Sequence, residues 1–179
     1  MLSGKGRRGI GYDTRGCYDC DQAMNYWLLK TEPGCFSMDD LKNRPDMTEH
    51  WDGVRNYQAR NFLRDQVKVG DGALFYHSNI PEPAVVGIAE VVRAGYPDFT
   101  ALDPGSEHFD PKASPLNPLW YMVDVRYVEK MPSPVTLEKI RNNPLLSGMP
   151  LVKRSRLSVQ PVTAEEWRII RAMGGLESR

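Results

Sequence analysis

Apolar and polar positions alternate most strictly over residues 121–128, where Tyr121, Val123, Val125 and Tyr127 share one face and Asp124 and Arg126 the other. A period of two marks a half-buried strand. Segments 26–31, 73–77, 84–92 and a short stretch around 157–160 are rich in β-branched and aromatic residues, are bounded by Gly, Pro or Asn, and also predict strands. Helical spacing is rarer. Ser37 stands as a cap before Met38-Asp39-Asp40, and Ala59, Phe62 and Leu63 make an i, i+3, i+4 stripe. Thr163-Ala164-Glu165-Glu166 is a capping box, followed by Trp167, Ile170 and Met173 on one face and Gly174 as the stop. A further helix is expected over 135–142. Short strands broken irregularly by small helices do not build βαβ repeats, and no glycine-rich phosphate loop joins a predicted strand to a predicted helix. The expected fold class is therefore mainly β with flanking helices (α+β), a compact and mostly antiparallel sheet or small barrel in a single domain.

Composition adjusts this picture at its edges. Residues 1–23 are rich in Gly and charge without either periodicity, and Met24 directly precedes the first strand signal. They are expected to be a tail, disordered or non-native, with the domain over 24–174 and a C-terminal tail over 175–179. A chain of 179 residues, 41% hydrophobic, can bury a core without staples. Its 23 basic side chains equal its 23 acidic ones, which excludes a polybasic coat but leaves room for local patches. No apolar run reaches the roughly 18 residues that would span a bilayer. Cys17 and Cys20 form a lone CxxC and Cys35 stands apart, the wrong pattern for a disulfide framework. The expectation is an intracellular, cytoplasmic protein, nuclear in a eukaryotic source, without membrane contact and monomeric. The CxxC lacks a second ligand pair, and His50, His77 and His108 lack metal spacing, so neither metal nor cofactor is expected.

The densest polar and aromatic cluster is Trp51-Asp52-Gly53-Val54-Arg55-Asn56-Tyr57-Gln58-Ala59-Arg60-Asn61. Flat rings beside paired amide donors and acceptors suit a nucleobase. On composition alone the same residues better suit a core tryptophan followed by a capped helix. Arg60, Arg64 and Lys68 recur every four positions, either a phosphate-facing stripe or a solvated helix face. Tyr76-His77-Ser78-Asn79 ends a strand at a Pro-bounded turn, a common place to present side chains. Neighbouring strand residues point to opposite faces, so His77 and Ser78 do not form a nucleophile and base pair. His108 sits in a long Pro-rich stretch, 94–118, and Lys153-Arg154-Ser155-Arg156 supplies a basic edge for phosphate contact.

Taken in order, Tyr26-Trp27-Leu28-Leu29-Lys30-Thr31-Glu32-Pro33, the 51–60 cluster, Tyr76-His77-Ser78-Asn79, Val86-Gly87-Ile88-Ala89-Glu90-Val91 and Leu157-Ser158-Val159-Gln160-Pro161-Val162 resemble the EVE domain family, over essentially 24–174. The resemblance implies a PUA-like β-barrel with flanking helices, related in architecture to YTH and ASCH domains. It implies a non-catalytic reader of modified nucleic acid that flips a base, 5-methyl- or 5-hydroxymethyl-cytosine in DNA, into an aromatic pocket. Carried over residue by residue, the pocket wall is Trp27, Lys30, Ser37, Trp51, Asn56, Tyr57, Ser78, Asn79 and Trp120. Arg60, Arg156 and Ser158 form the nucleic-acid rim. The expected partner is modified DNA or RNA, with a separate effector protein for any downstream action. Two alternatives stand beside this: an RNA-binding module, and an ASCH-like enzyme acting on a modified nucleoside or RNA with Lys30 or His77 as polar catalyst.

Overall fold

The structure, a computed structural model, describes residues 24–153 and 156–176. The expected tail over 1–23, the last three residues of the tail expected over 175–179, the Cys17/Cys20 pair, Arg154 and Ser155 lie outside the described residues. In chain order the elements are β1 (Tyr26–Thr31), α1 (Met38–Asn43), β2 (Thr48–Trp51), α2 (Tyr57–Asp65), β3 (Gly72–His77), β4 (Ala84–Pro97), β5 (Tyr121–Thr136), α3 (Leu137–Asn142), α4 (Pro150–Lys153), β6 (Val159–Val162) and α5 (Ala164–Met173). They form a six-stranded sheet in the order β2-β5-β4-β3-β1-β6. Its pairings are antiparallel except β1 with β3. Among the described residues no helix is long and apolar enough to cross a membrane.

Strand length decides the shape. β4 and β5 run for 14 and 16 residues, and their pairing shifts register between Val85 and Gly87, Ile88 and Ala89, Val91 and Arg93, and Arg93 and Tyr96. Each such bulge bends a strand and increases its twist. The sheet coils accordingly around one inner core to which every strand contributes: Trp27 and Leu29, Trp51, Ala73 and Phe75, Val86 and Ala89, Val123 and Val125, and Val159. Each large apolar side chain fully buried there contributes about 1.5–3 kcal/mol. Met38 and Leu41 of α1 and Ala59 and Leu63 of α2 complete the same core. On the convex side Leu28, Leu74, Val85, Ile88 and Val135 pack under Ile140, Leu151, Trp167 and Ile170 of α3, α4 and α5. Gly95 allows α2 to lie directly on β4, because a Cβ there would sit 2.3 Å from the Leu63 carbonyl oxygen.

The helix starts follow the local chemistry. Ser37 and Asp40 exchange side-chain and backbone hydrogen bonds in a capping box on α1, and Thr163 and Glu166 do so on α5. Asn56 accepts from the Ala59 amide at 3.0 Å and caps α2. The buried Asp71 carboxylate accepts from the indole of Trp27 at 2.8 Å and from the amides of Asn25 and Lys68, tying the start of β1 to the turn before β3.

One strand carries no signal in the sequence, and three expectations need correction. Thr48–Trp51 is a strand, although only four residues long and carrying Glu49 and His50; its pairing with β5 outweighs its weak pattern. Val135 and Thr136 end β5, and the helix begins at Leu137 with Thr136 as its cap. The last strand lies at 159–162 rather than 157–160. The 94–118 stretch yields its first residues to β4 and holds a short 3-10 turn, Phe99–Leu102.

Candidate nucleic-acid interface

β2 and β6 are the two edges of the sheet, and among the described residues no ladder joins them. A cavity of about 510 Å³ opens between the end of β1 and the edge strand β2. Lys30, Thr31 and Glu32 at the end of β1 form one wall, with Ser158 beside them. Glu49, His50 and Trp51 of β2 form the opposite wall, continued by Asp52, Gly53 and Val54, while Cys35, Phe36, Arg44 and His108 complete the lining. Trp51 is 6% exposed. Its ring meets Phe75 edge-on at 5.3 Å between centroids, and Phe36 meets it at 6.4 Å in a similar edge contact. The aromatic part of the lining is thus continuous with the inner core and is fixed by it.

The polar lining is partly self-neutralised. Glu49 is held by Arg44 at 2.7 Å and by the His50 ring at 2.6 Å, and His50 also lies 3.8 Å from Asp52. Glu32 accepts from the Asn79 amide at 3.1 Å. Burial pushes the Lys30 ammonium below its ordinary pKa. His108 arrives from the 98–120 segment. Asp98, with its carboxylate fully buried, accepts from the amides of Gly53 (3.2 Å) and Thr100 (2.9 Å) and from Arg55 (2.8 Å). Burial alone would raise the Asp98 pKa, but the hydrogen bonds from Thr100 and Arg55, with the guanidinium charge, outweigh it and leave it below the ordinary value. Arg55 in turn donates from Nε to the His108 carbonyl at 3.1 Å. The His108 imidazole lies against Gly53, where an added Cβ would stand 2.6 Å from Nε2.

The predicted site residues divide into groups. Lys30, Trp51 and Ser158 meet at the cavity. Lys30 and Ser158 also line a second depression, of about 340 Å³, with Ser78, Asn79, Arg156, Tyr76 and Arg141. There Ser78 donates to the Thr31 carbonyl at 3.0 Å, and Asn79 adopts a left-handed backbone with φ 55°. Asn56, Tyr57, Arg60 and Trp120 form a separate group at the start of α2. Tyr57 stacks on Trp120 at 5.0 Å, Arg60 lies over Tyr57 and donates to the Leu119 carbonyl, and Trp120 donates to Asp110. Ser37 serves as the α1 cap, and Trp27 points to Asp71 at the other end of β1. His77 accepts from the Met38 amide at 3.2 Å; burial, followed by the nearby Lys130 charge, lowers its pKa and favours the neutral ring that this contact needs.

Sequence reading did not include Phe36, His50 or His108 in the wall. His50 lies in the strand whose pattern is too short to register, and His108 reaches the cavity only through the Asp98 and Arg55 contacts, across more than forty positions of sequence. The local signal available was the dense polar cluster at 51–61 next to a glycine.

Comparison with known proteins agrees over nearly the whole chain. Residues 25–173 match the EVE domain. Mouse thymocyte nuclear protein 1 is 44% identical over 164 residues, covering 82% of this chain and 72% of its own. A hypothetical protein from Leishmania major is 51% identical with a TM-score of 0.81, covering 85% of this chain and 95% of that one. The human THYN1 protein, solved in complex with 5-methylcytosine-containing DNA, is 40% identical with a TM-score of 0.80, covering 86% and 99%. A coiled sheet with unclosed edges, ordered motifs in all of its principal segments and these likenesses lead to one assignment: the chain belongs to the EVE domain family.

Proposed function

We propose that the protein is a non-catalytic module that reads a modified base, 5-methyl- or 5-hydroxymethyl-cytosine in DNA, by taking the flipped base into the cavity between the end of β1 and the edge strand β2. The observation that carries this reading is the lining of that cavity. About 510 Å³ falls within the range of small-ligand sites, roughly 300–1,000 Å³. Phe36 and Trp51 supply aromatic surface, Glu32 and Asp52 supply carboxylate acceptors and Lys30 a donor. A carboxylate accepts from the exocyclic N4 amine of cytosine, and apolar surface favours a C5 methyl over bare solvent. Extruding a base costs a few kcal/mol, and stacking at about 1–3 kcal/mol per base is of the size needed to offset it. The human THYN1 protein, captured on 5-methylcytosine DNA, makes the same chemistry the natural first substrate to test. Lys30, Arg141 and Arg156 around the adjoining depression offer the flanking phosphates a positive border.

Titration by fluorescence anisotropy of one short duplex carrying cytosine, 5-methylcytosine or 5-hydroxymethylcytosine, with the matching RNA alongside, tests this. The expected result is a preference of about tenfold, or about 1.4 kcal/mol, for one modified DNA. Asp52→Asn, a change outside the buried core, is expected to lower affinity for that DNA about tenfold by weakening the acceptor. Equal binding to all duplexes would reject the reading, and tighter binding to the RNA would move it to an RNA module.

A further inference from the structure

We propose that Phe99 is a wedge that enters the DNA base stack and fills the gap left by the extruded base. This rests on the base-reading function proposed above. Phe99 is 55% exposed, yet its ring centroid lies 5.3 Å from that of His50, which lines the cavity. A large apolar ring therefore stands in solvent directly beside the chamber that receives the base.

The backbone that presents it is held on both sides. Asp98, immediately before it, is buried and fixed by Gly53, Arg55 and Thr100, and its own amide donates to the Trp120 carbonyl at 2.9 Å. Ala101, two residues on, is buried, and its carbonyl accepts from the Asp110 amide at 3.0 Å. Water contact on such a ring is unfavourable in the free protein and is relieved when the ring lies between bases. With two side-chain torsions on a fixed turn, the phenyl loses little conformational freedom on insertion. Apolar side chains of this kind, Phe, Leu, Ile and Met among them, enter base steps and partly unstack them. The gap to be filled and the extruded base lie next to each other on the strand, as Phe99 and the cavity do on the protein. The same buried Asp98 that steadies the cavity wall through Gly53 and Arg55 thus steadies the wedge.

A wedge is needed only where bases are stacked and paired, since a single strand exposes its base at much lower cost. The test compares wild type, Phe99→Ala and Phe99→Leu on a duplex with one central 5-methylcytosine and on the corresponding single strand. Phe99→Ala is expected to lose about tenfold or more on the duplex and less than about twofold on the single strand, while Phe99→Leu keeps most of the duplex affinity. Val69→Ala, equally exposed but no part of the cavity wall, serves as the control and is expected to bind as wild type. Equal losses on both substrates would overturn the wedge in favour of a general contact, and undiminished duplex binding by Phe99→Ala would overturn it outright. The base-reading function has its own readout, the wild-type preference for modified over unmodified cytosine, so either idea can fail alone. Wild-type binding to neither substrate would overturn both.

Discussion

At Gly53 a single hydrogen decides the shape of the cavity. Its φ of +70° is a conformation that other L-residues enter at about 1–2 kcal/mol, and the space a Cβ would take is already filled by His108. Gly53→Ala is expected to lower stability by about that amount and, by displacing the imidazole, to weaken binding of the preferred modified DNA by about tenfold. A thermal melt and a titration on one preparation separate the two effects. Binding unchanged beside a lowered melting temperature would remove His108 from the wall. Residue chemistry of this kind was only half legible in sequence. Trp51 and Asn56 stood out by type, and both are structurally committed, one to the inner core and the other to the α2 cap. His108 stood out in its Pro-rich stretch but not as a wall residue, because its position depends on a carboxylate ten residues earlier and an arginine on another segment.

Among the elements, the 98–120 segment behaves as an anchored arm rather than a free loop. Asp98 fastens its start, and Asp110, which accepts from Trp120 at 2.7 Å, fastens its end. Asp98→Asn keeps the shape but removes the charge that holds Arg55, and is expected to cost about 2 kcal/mol at neutral pH. The sign with pH follows from the carboxyl lying below its ordinary value when folded. Between the folded value and the unfolded value of about 3.9, the unfolded chain binds more protons, so stability falls on acidification. The Asp98 contribution is complete above about pH 4 and is lost as the pH drops through the folded value. Denaturant melts of wild type and Asp98→Asn at a series of pH values should therefore differ most near neutrality and converge in acid; a constant difference would place the stabilisation elsewhere. The strong signals, the alternation over 121–128, the Ser37 cap and the capping box at 163–166, translated directly into β5, α1 and α5. β2 was invisible because four residues with two ionisable side chains carry no pattern of their own; only the partner strand specifies them. The extended β4 and β5 were under-read for a related reason: their bulges shift the inward and outward positions, so strict alternation stops while the strand continues.

For the molecule as a whole, the long bulged strands coil the sheet around its inner core, and the cavity proposed to take the base lies between the end of β1 and β2, an edge strand with one ladder neighbour among the described residues. The charge balance of the chain fits this arrangement, since 23 cationic and 23 anionic side chains give no global attraction to a polyanion. In the proposed function phosphate contacts then fall to local groups, Arg141 and Arg156 beside the second depression. Each phosphate contact on duplex DNA contributes a slope of about −0.9 to the dependence of log affinity on log salt. Arg156→Ala is expected to weaken modified and unmodified duplexes alike and to make that slope shallower by about one, leaving their affinity ratio intact. Asp52→Asn should do the reverse, compressing the ratio while leaving the slope unchanged, because in the proposed function Asp52 meets the base and no phosphate. Titrations of both variants between about 50 and 200 mM salt resolve the two behaviours. A change of ratio in Arg156→Ala would mean that the second depression takes part in reading the base, and an unchanged slope would mean that the DNA backbone follows a different face of the protein.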